Sequence, residues 1–163
     1  INVSVISMVF FNSDTHLKIE LPIKQLNIMH NLCDKSNPYE TGGILIGSYS
    51  GDNFTAHISE ITNSPDDSVK KKTQFKRGIN GLQIKLDTLW KDNQYYLGEW
   101  HYHPNSSPTP SRSDIEQMLS LSHDKKLNCP EPILIILGGN KDNWLLNVIV
   151  IANEKIVSFH EVK

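Results

Sequence analysis

The segment His101-Tyr102-His103-Pro104 is followed by six residues, then Ser111, then two more residues and Asp114. On a β-strand, alternation sends both imidazoles to one face and Tyr102 to the other, so two neutral nitrogens can converge on one ion. A His-x-His pair alone reads as a polar pair or a surface accident. Here the prolines at 104, 108 and 110 stiffen the loop that follows, and Asp114 can return at a fixed place opposite the strand. Two imidazoles and one carboxylate leave a fourth position open, the pattern of catalytic rather than structural zinc. Asp114 also suits the first turn of a helix, where the macrodipole favours a carboxylate, and the two roles are compatible.

Zinc lowers the pKa of water from about 15.7 toward about 7, but amide hydrolysis also needs a group that takes the water's proton and returns it to the leaving amine. Glu40 is the candidate. Alone it reads as a solvated loop carboxylate; with the histidines and aspartate present, Gly42 and Gly43 behind it would let their strand pass close to the histidine strand. Glu99, two residues before His101, either orients an imidazole or is a strand-face carboxylate with no part in the chemistry. His16, His30, His57, His123 and His160 lack ligand spacing, and Trp90, Trp100 and Trp144 read as core.

Positioning these groups requires a core, and 163 residues with 38% hydrophobic and 21% charged side chains predict one globular domain over 1–163. A net charge of -2 with only two arginines, Arg77 and Arg112, supplies no footprint for nucleic acid or an anionic membrane. Cys33 and Cys129 could form one bridge, but two buried thiols in a reducing cytoplasm is the simpler reading. No run approaches the roughly 20 apolar residues of a membrane span.

Residues 3–11 and 15–21 read as a hairpin, turned at Asn12-Ser13-Asp14. Pro22 starts a helix whose stripe of Ile23, Leu26, His30 and Cys33 runs to about Asp34. Strands follow at 43–50 and 54–62. Residues 63–77, with Lys70-Lys71-Lys72, read as a polar loop, either a solvated excursion or a partner-binding one. Ile79, Leu82, Leu86, Leu89 and Trp90 mark a second helix ending near Asp92; residues 94–103 form the histidine strand and 104–111 an irregular loop. Ser113, with Glu116 three residues on, can cap a third helix. Residues 132–137, 144–152 and 155–162 close the chain, the first apolar enough for a central strand. The sum is an α/β fold, a mixed sheet of seven or eight strands sandwiched or flanked by three helices.

Glu40-Thr41-Gly42-Gly43-Ile44-Leu45-Ile46-Gly47, together with His101-Tyr102-His103-Pro104, Ser111 and Asp114, resembles the two sequence blocks of the JAMM (MPN or JAB) metallopeptidase family. The resemblance implies a cytidine-deaminase-like layered fold and one zinc ion with its water, held by His101, His103 and Asp114. It further implies Glu40 as general acid/base and Ser111 as support for a tetrahedral oxyanion. The family residue between the histidines is often Ser; Tyr102 stands there, facing away, and little effect on catalysis is expected.

Gly98-Glu99-Trp100-His101-Tyr102-His103-Pro104, with Tyr95-Tyr96 before it, is similar to the small bacterial peptidases of anti-phage CBASS operons. That similarity implies a protein substrate with an extended C-terminal tail, namely a CD-NTase (a cyclic-oligonucleotide synthase) conjugated to a target protein in the cytoplasm. Neither nucleic acid nor membrane is an expected partner. The tail could add as a strand to a sheet edge, with 63–77 as a flanking clamp. Two other classes compete. A non-catalytic MPN-type scaffold typically lacks a ligand or the glutamate, and nothing is missing here. A zinc deaminase requires His-x-Glu and Pro-Cys-x-x-Cys, whereas Cys129 precedes Pro130 and stands alone.

Overall fold

The computed structural model describes residues 6–163, so residues 3–5 of the first expected strand lie outside the described residues. Strands β1 (Ser7–Asn12) and β2 (Leu17–Pro22) form the hairpin, its turn held by Asn12 Oδ1, which accepts from the Thr15 N–H at 2.9 Å. Pro22 is the N-cap of α1 (Ile23–Ser36) rather than its first residue. Antiparallel β3 (Thr41–Tyr49) and β4 (Thr55–Ile61) follow as expected. The polar stretch 63–77 is more ordered than its composition suggested, because β5 (Val69–Lys70) and β6 (Phe75–Lys76) pair within it as a short hairpin. Then come α2 (Leu82–Trp90), β7 (Tyr95–Pro104), α3 (Arg112–Ser122), β8 (Ile133–Asn140), β9 (Asn143–Ala152) and β10 (Lys155–Glu161).

The mixed sheet with three helices is there, but as a closed barrel rather than an open sandwich: β1-β10-β9-β8-β7-β3-β4-β2 returns to β1. Alternation in a sequence says which face of a strand is buried, not which strand lies beside it. Closure depends on pairings such as Phe10 with Glu161, which link opposite ends of the chain. The parallel neighbours are β2 with β4 and β7 with β8.

Inside the barrel, Leu21, Leu45, Leu97, Trp100, Ile135 and Val148 pack with Leu26, Met29 and Cys33 of α1. The other two helices cover the outside. Leu82, Leu86 and Leu89 of α2 lie on Ile44, Ile46 and Tyr96, while Met118 of α3 lies on Leu134, Ile136, Ile149 and Ile151. Strand β8 is thus buried on both faces, as its apolar run predicted. Trp90 departs from its core reading: at 63% exposed it lies edge-on to Tyr95 at the end of α2, immediately after Leu89, the last covered residue. Cys33 and Cys129 are buried free thiols.

One irregularity sets the phase of β7. Leu45 pairs with Gly98 but Ile46 pairs with Tyr96, so Leu97 is an extra residue and the alternation slips. Leu97, Trp100 and Tyr102 consequently face inward, while Tyr96 joins the outer layer under α2 and His101 meets α3 from outside. Gly98 sits at φ 153°, and a Cβ there would lie 1.9 Å from the Ile133 carbonyl oxygen. Gly98→Ala is expected to destabilise the fold by about 2–4 kcal/mol through strain and overpacking together. A urea midpoint equal to that of the wild type would show that the bulge tolerates a side chain.

Candidate metal centre

Gly42 pairs with His101 and Gly43 with Trp100 across the β3–β7 ladder. A Cβ on Gly42 would lie 2.3 Å from Trp100 O and 3.0 Å from His101 Cδ2; one on Gly43 would lie 2.1 Å from Thr62 O. The close passage expected of the two glycines is real, and it brings the segment ending at Glu40 alongside the histidine strand.

Helix α3 begins two residues earlier than Ser113 and Glu116 suggested. Its N-cap is Ser111, whose Oγ accepts from the Asp114 N–H at 3.0 Å, while Asp114 Oδ2 accepts from the Ser111 N–H at 2.8 Å. This capping box satisfies two N-terminal donors and aims the carboxylate back at β7. There Asp114 Oδ1 meets His101 Nδ1 and Asp114 Oδ2 meets His103 Nε2, each at 3.1 Å. His101 is 1% exposed and Asp114 8%. Burial works against the Asp114 charge, yet the hydrogen bonds from His101 and His103, the His101 charge and the Ser111 N–H hold its carboxyl far below the usual range. Burial likewise opposes a charged His103, but its hydrogen bond to Asp114 and the charges of Asp114 and Glu40 leave it above the usual imidazole value.

Glu40 is half-buried beside this group. Its carboxyl is pushed up by burial and by Asp114, against the pull of His103 and His101. Its N–H donates to Lys71 O at 2.8 Å, which ties it to the β5–β6 hairpin. All four residues expected to bind metal or move protons are therefore brought together, with Ser111 one turn from Asp114. As they stand, the histidines and aspartate close on one another by hydrogen bonds. Among the described residues no three His, Cys, Asp or Glu side chains are spaced to hold an ion. The donor set nevertheless fits a divalent cation: His101 Nε2 is buried without a partner among the described residues, and two imidazoles with one carboxylate are the N and O donors zinc accepts.

The remaining histidines stay apart. His57 pairs with Glu20, His123 with Glu154, and His30 stacks on Trp144. A cavity of about 630 Å³ between α2 and residues 126–131, lined in part by Trp90, Tyr95 and Tyr96, has no histidine in its lining.

Sequence reasoning missed the anchor beneath the site. Glu99, 0% exposed, accepts from Arg77 Nε and from the Tyr96 hydroxyl, both at 2.5 Å. Glu99 therefore secures the hairpin rather than orienting an imidazole. The same hairpin lays Phe75 edge-on to His101, ring centroids 5.5 Å apart. Arg77 closes a lysine-rich stretch, where charge reads as solvation, and no spacing rule links it to Glu99.

Residues 22–150 match the family described as prokaryotic homologs of the JAB domain, and the chain belongs to that family. A protein of Enterobacter hormaechei subsp. hoffmannii (strain UCI 50) named CD-NTase/cGAS isopeptidase is 42% identical over 137 residues, 84% of this chain and 76% of that protein. One of the same name from Escherichia coli (strain TW11681) is 34% identical over 109 residues, and the chain spans only 65% of its length. The solution structure of a Desulfitobacterium hafniense protein shares the fold at a TM-score of 0.62, with 20% identity over 86% of each chain. Among the described residues no helix is long and apolar enough to cross a membrane.

Arg77→Ala strands a buried carboxylate and is expected to cost about 3–5 kcal/mol, whereas Arg77→Met with Glu99→Leu should recover most of that loss. Thermal and denaturant unfolding of the three proteins checks both statements; a single variant within 0.5 kcal/mol of wild type, on the order of a surface substitution, would rule the anchor out.

Proposed function

We propose that the chain is a single JAB-type peptidase domain acting as a zinc isopeptidase, which hydrolyses the amide bond after the C-terminus of a conjugated modifier. The modifier we favour is a CD-NTase joined to a target protein, in keeping with the names of the two relatives; two free buried thiols suit a reducing cytoplasm. The observation that carries the reading is the gathering of His101 and His103 around the Asp114 carboxylate, with Glu40 in electrostatic reach of all three.

His101, His103 and Asp114 would hold the ion, and the firmly ionised Asp114 suits a ligand. Zinc in such a site supplies Lewis acidity, polarising a scissile carbonyl and acidifying water. Glu40, its carboxyl raised by burial, takes the proton from the attacking water and returns it to the leaving amine. Ser111 Oγ accepts from the Asp114 N–H, and its own hydroxyl hydrogen has no acceptor among the described residues, so it can donate to the oxyanion that develops. The β5–β6 hairpin lies against the site, through Phe75 on His101 and Lys71 O on the Glu40 N–H, and is the segment best placed to flank an extended tail.

The test is cleavage of an amide-linked fusion between a CD-NTase C-terminal tail and a fluorescent protein. Glu40→Gln should keep its zinc and fold while kcat falls on the order of 10²-fold or more. Near-normal turnover would remove Glu40 from the mechanism. His103→Ala and Asp114→Ala should lose both metal and turnover, read by elemental analysis; a variant with full zinc occupancy would show that the ligands are others. Chelation should abolish cleavage and zinc restore it.

A further inference from the structure

Tyr102, between the two histidines, sends its ring into the inner cluster, edge-on to Trp144 with centroids 5.9 Å apart. Its hydroxyl reaches beyond that packing. It donates to Gly139 O at 2.9 Å and accepts from Asn37 Nδ2 at 3.1 Å. Asn37 is the C-cap of α1, three residues before Glu40. The Asn37 and Asn105 side-chain amides exchange hydrogen bonds at 3.2 Å in both directions, and Asn140 Nδ2 donates to Asn105 Oδ1 at 3.0 Å. Asn105 opens the loop leading to Ser111 and Asp114; it holds φ 56°, which Asn tolerates, and its N–H donates to Gly139 O at 2.8 Å. Three segments meet at this node: the one that ends in Glu40, the strand of His101 and His103, and the loop that delivers Asp114.

We propose that Tyr102, with Asn37 and Asn105, is a positioning residue: its hydroxyl holds the 37–40 segment and thereby fixes where the Glu40 carboxylate stands relative to the histidines and Asp114. This rests on Glu40 being the proton carrier of the proposed isopeptidase. A general base must be within hydrogen-bond reach of its proton, and a misplacement of about 1 Å costs up to about 10²-fold in rate. Ring packing alone would seat β7 in the barrel, whereas the hydroxyl ties β7 to a different part of the chain. Tyr102 therefore matters more than its outward-from-the-site orientation suggested.

Tyr102→Phe keeps the ring and removes only the links; Asn37→Ala removes the partner. Each is made in the wild type and in a Glu40→Gln background and assayed on the tail fusion. The expected result in the wild-type background is a fall in kcat of about tenfold with KM and zinc content unchanged. In the Glu40→Gln background neither change should lower kcat further. Equal proportional losses in the two backgrounds, or an unaltered kcat in the first, would overturn the proposal. Hydrogen exchange of the metal-free proteins reads the node without catalysis: the amides of Asn37 and residues 39–41 should exchange about fivefold faster or more in both variants, with β8 and β9 unchanged. Unchanged exchange at these amides overturns the proposal whatever the activity. A zinc-loaded wild type that cleaves no fusion counts against the isopeptidase reading, and the exchange result then decides the node alone.

Discussion

Asp114 is nearly buried and accepts from three donors at once: the Ser111 N–H, His101 and His103. A carboxylate taken out of water must be paired and hydrogen-bonded, or it protonates instead. Here the pairing is divided between an N-terminal turn of helix and two side chains of a strand, so the charge holds α3 against β7 and orients both rings together. The capping box leaves little freedom, because the Ser111 N–H fixes the Asp114 carboxylate and the Ser111 hydroxyl in return fixes the Asp114 N–H.

That pairing is possible only if β7 shows its histidines to the outside of the barrel, where α3 lies. The inward phase is set by Trp100 and Tyr102 in the inner cluster, and the slip at Leu97 and Gly98 lets Leu97 join them while Tyr96 still faces α2. Helix α3 is in turn seated by Met118 on Leu134, Ile136, Ile149 and Ile151, the outward residues of β8 and β9. Apolar packing on the outer face thus brings the helix to the strand, and the carboxylate locks the approach.

The gathering of these side chains was legible in the sequence because it lives in short spacings: alternation fixes His101 and His103 on one face, and the proline loop limits where Asp114 can go. Glu40 was legible through Gly42 and Gly43, which announce a close strand crossing. The cap of α3 was misplaced because Ser113 with Glu116 satisfies the same pattern as Ser111 with Asp114, and only the fold chooses between them. Barrel closure, the exposure of Trp90 and the Arg77–Glu99 anchor were not legible for one shared reason. Each depends on which distant segments become neighbours, and no local period records that.

Two carboxylates stand in one cluster, and their surroundings push them in opposite directions. Asp114 gains hydrogen bonds that only the charged form accepts, and its carboxyl falls; Glu40 loses water and faces the Asp114 charge, and its carboxyl rises. Such divergence suits the proposed division of roles, with the group that stays ionised as ligand and the one nearer to taking a proton as proton carrier. The division depends on keeping Glu40 half-buried beside the charge that repels it. The structure does this from two sides, with the Lys71 carbonyl on the Glu40 N–H and, three residues earlier, the Asn37 amide on the Tyr102 hydroxyl. The Arg77–Glu99 pair holds the first of these supports in place, since it fastens the hairpin that carries Lys71 to the outer face of β7. An ion pair outside the proposed chemistry therefore bears on the position of Glu40 through the backbone it secures.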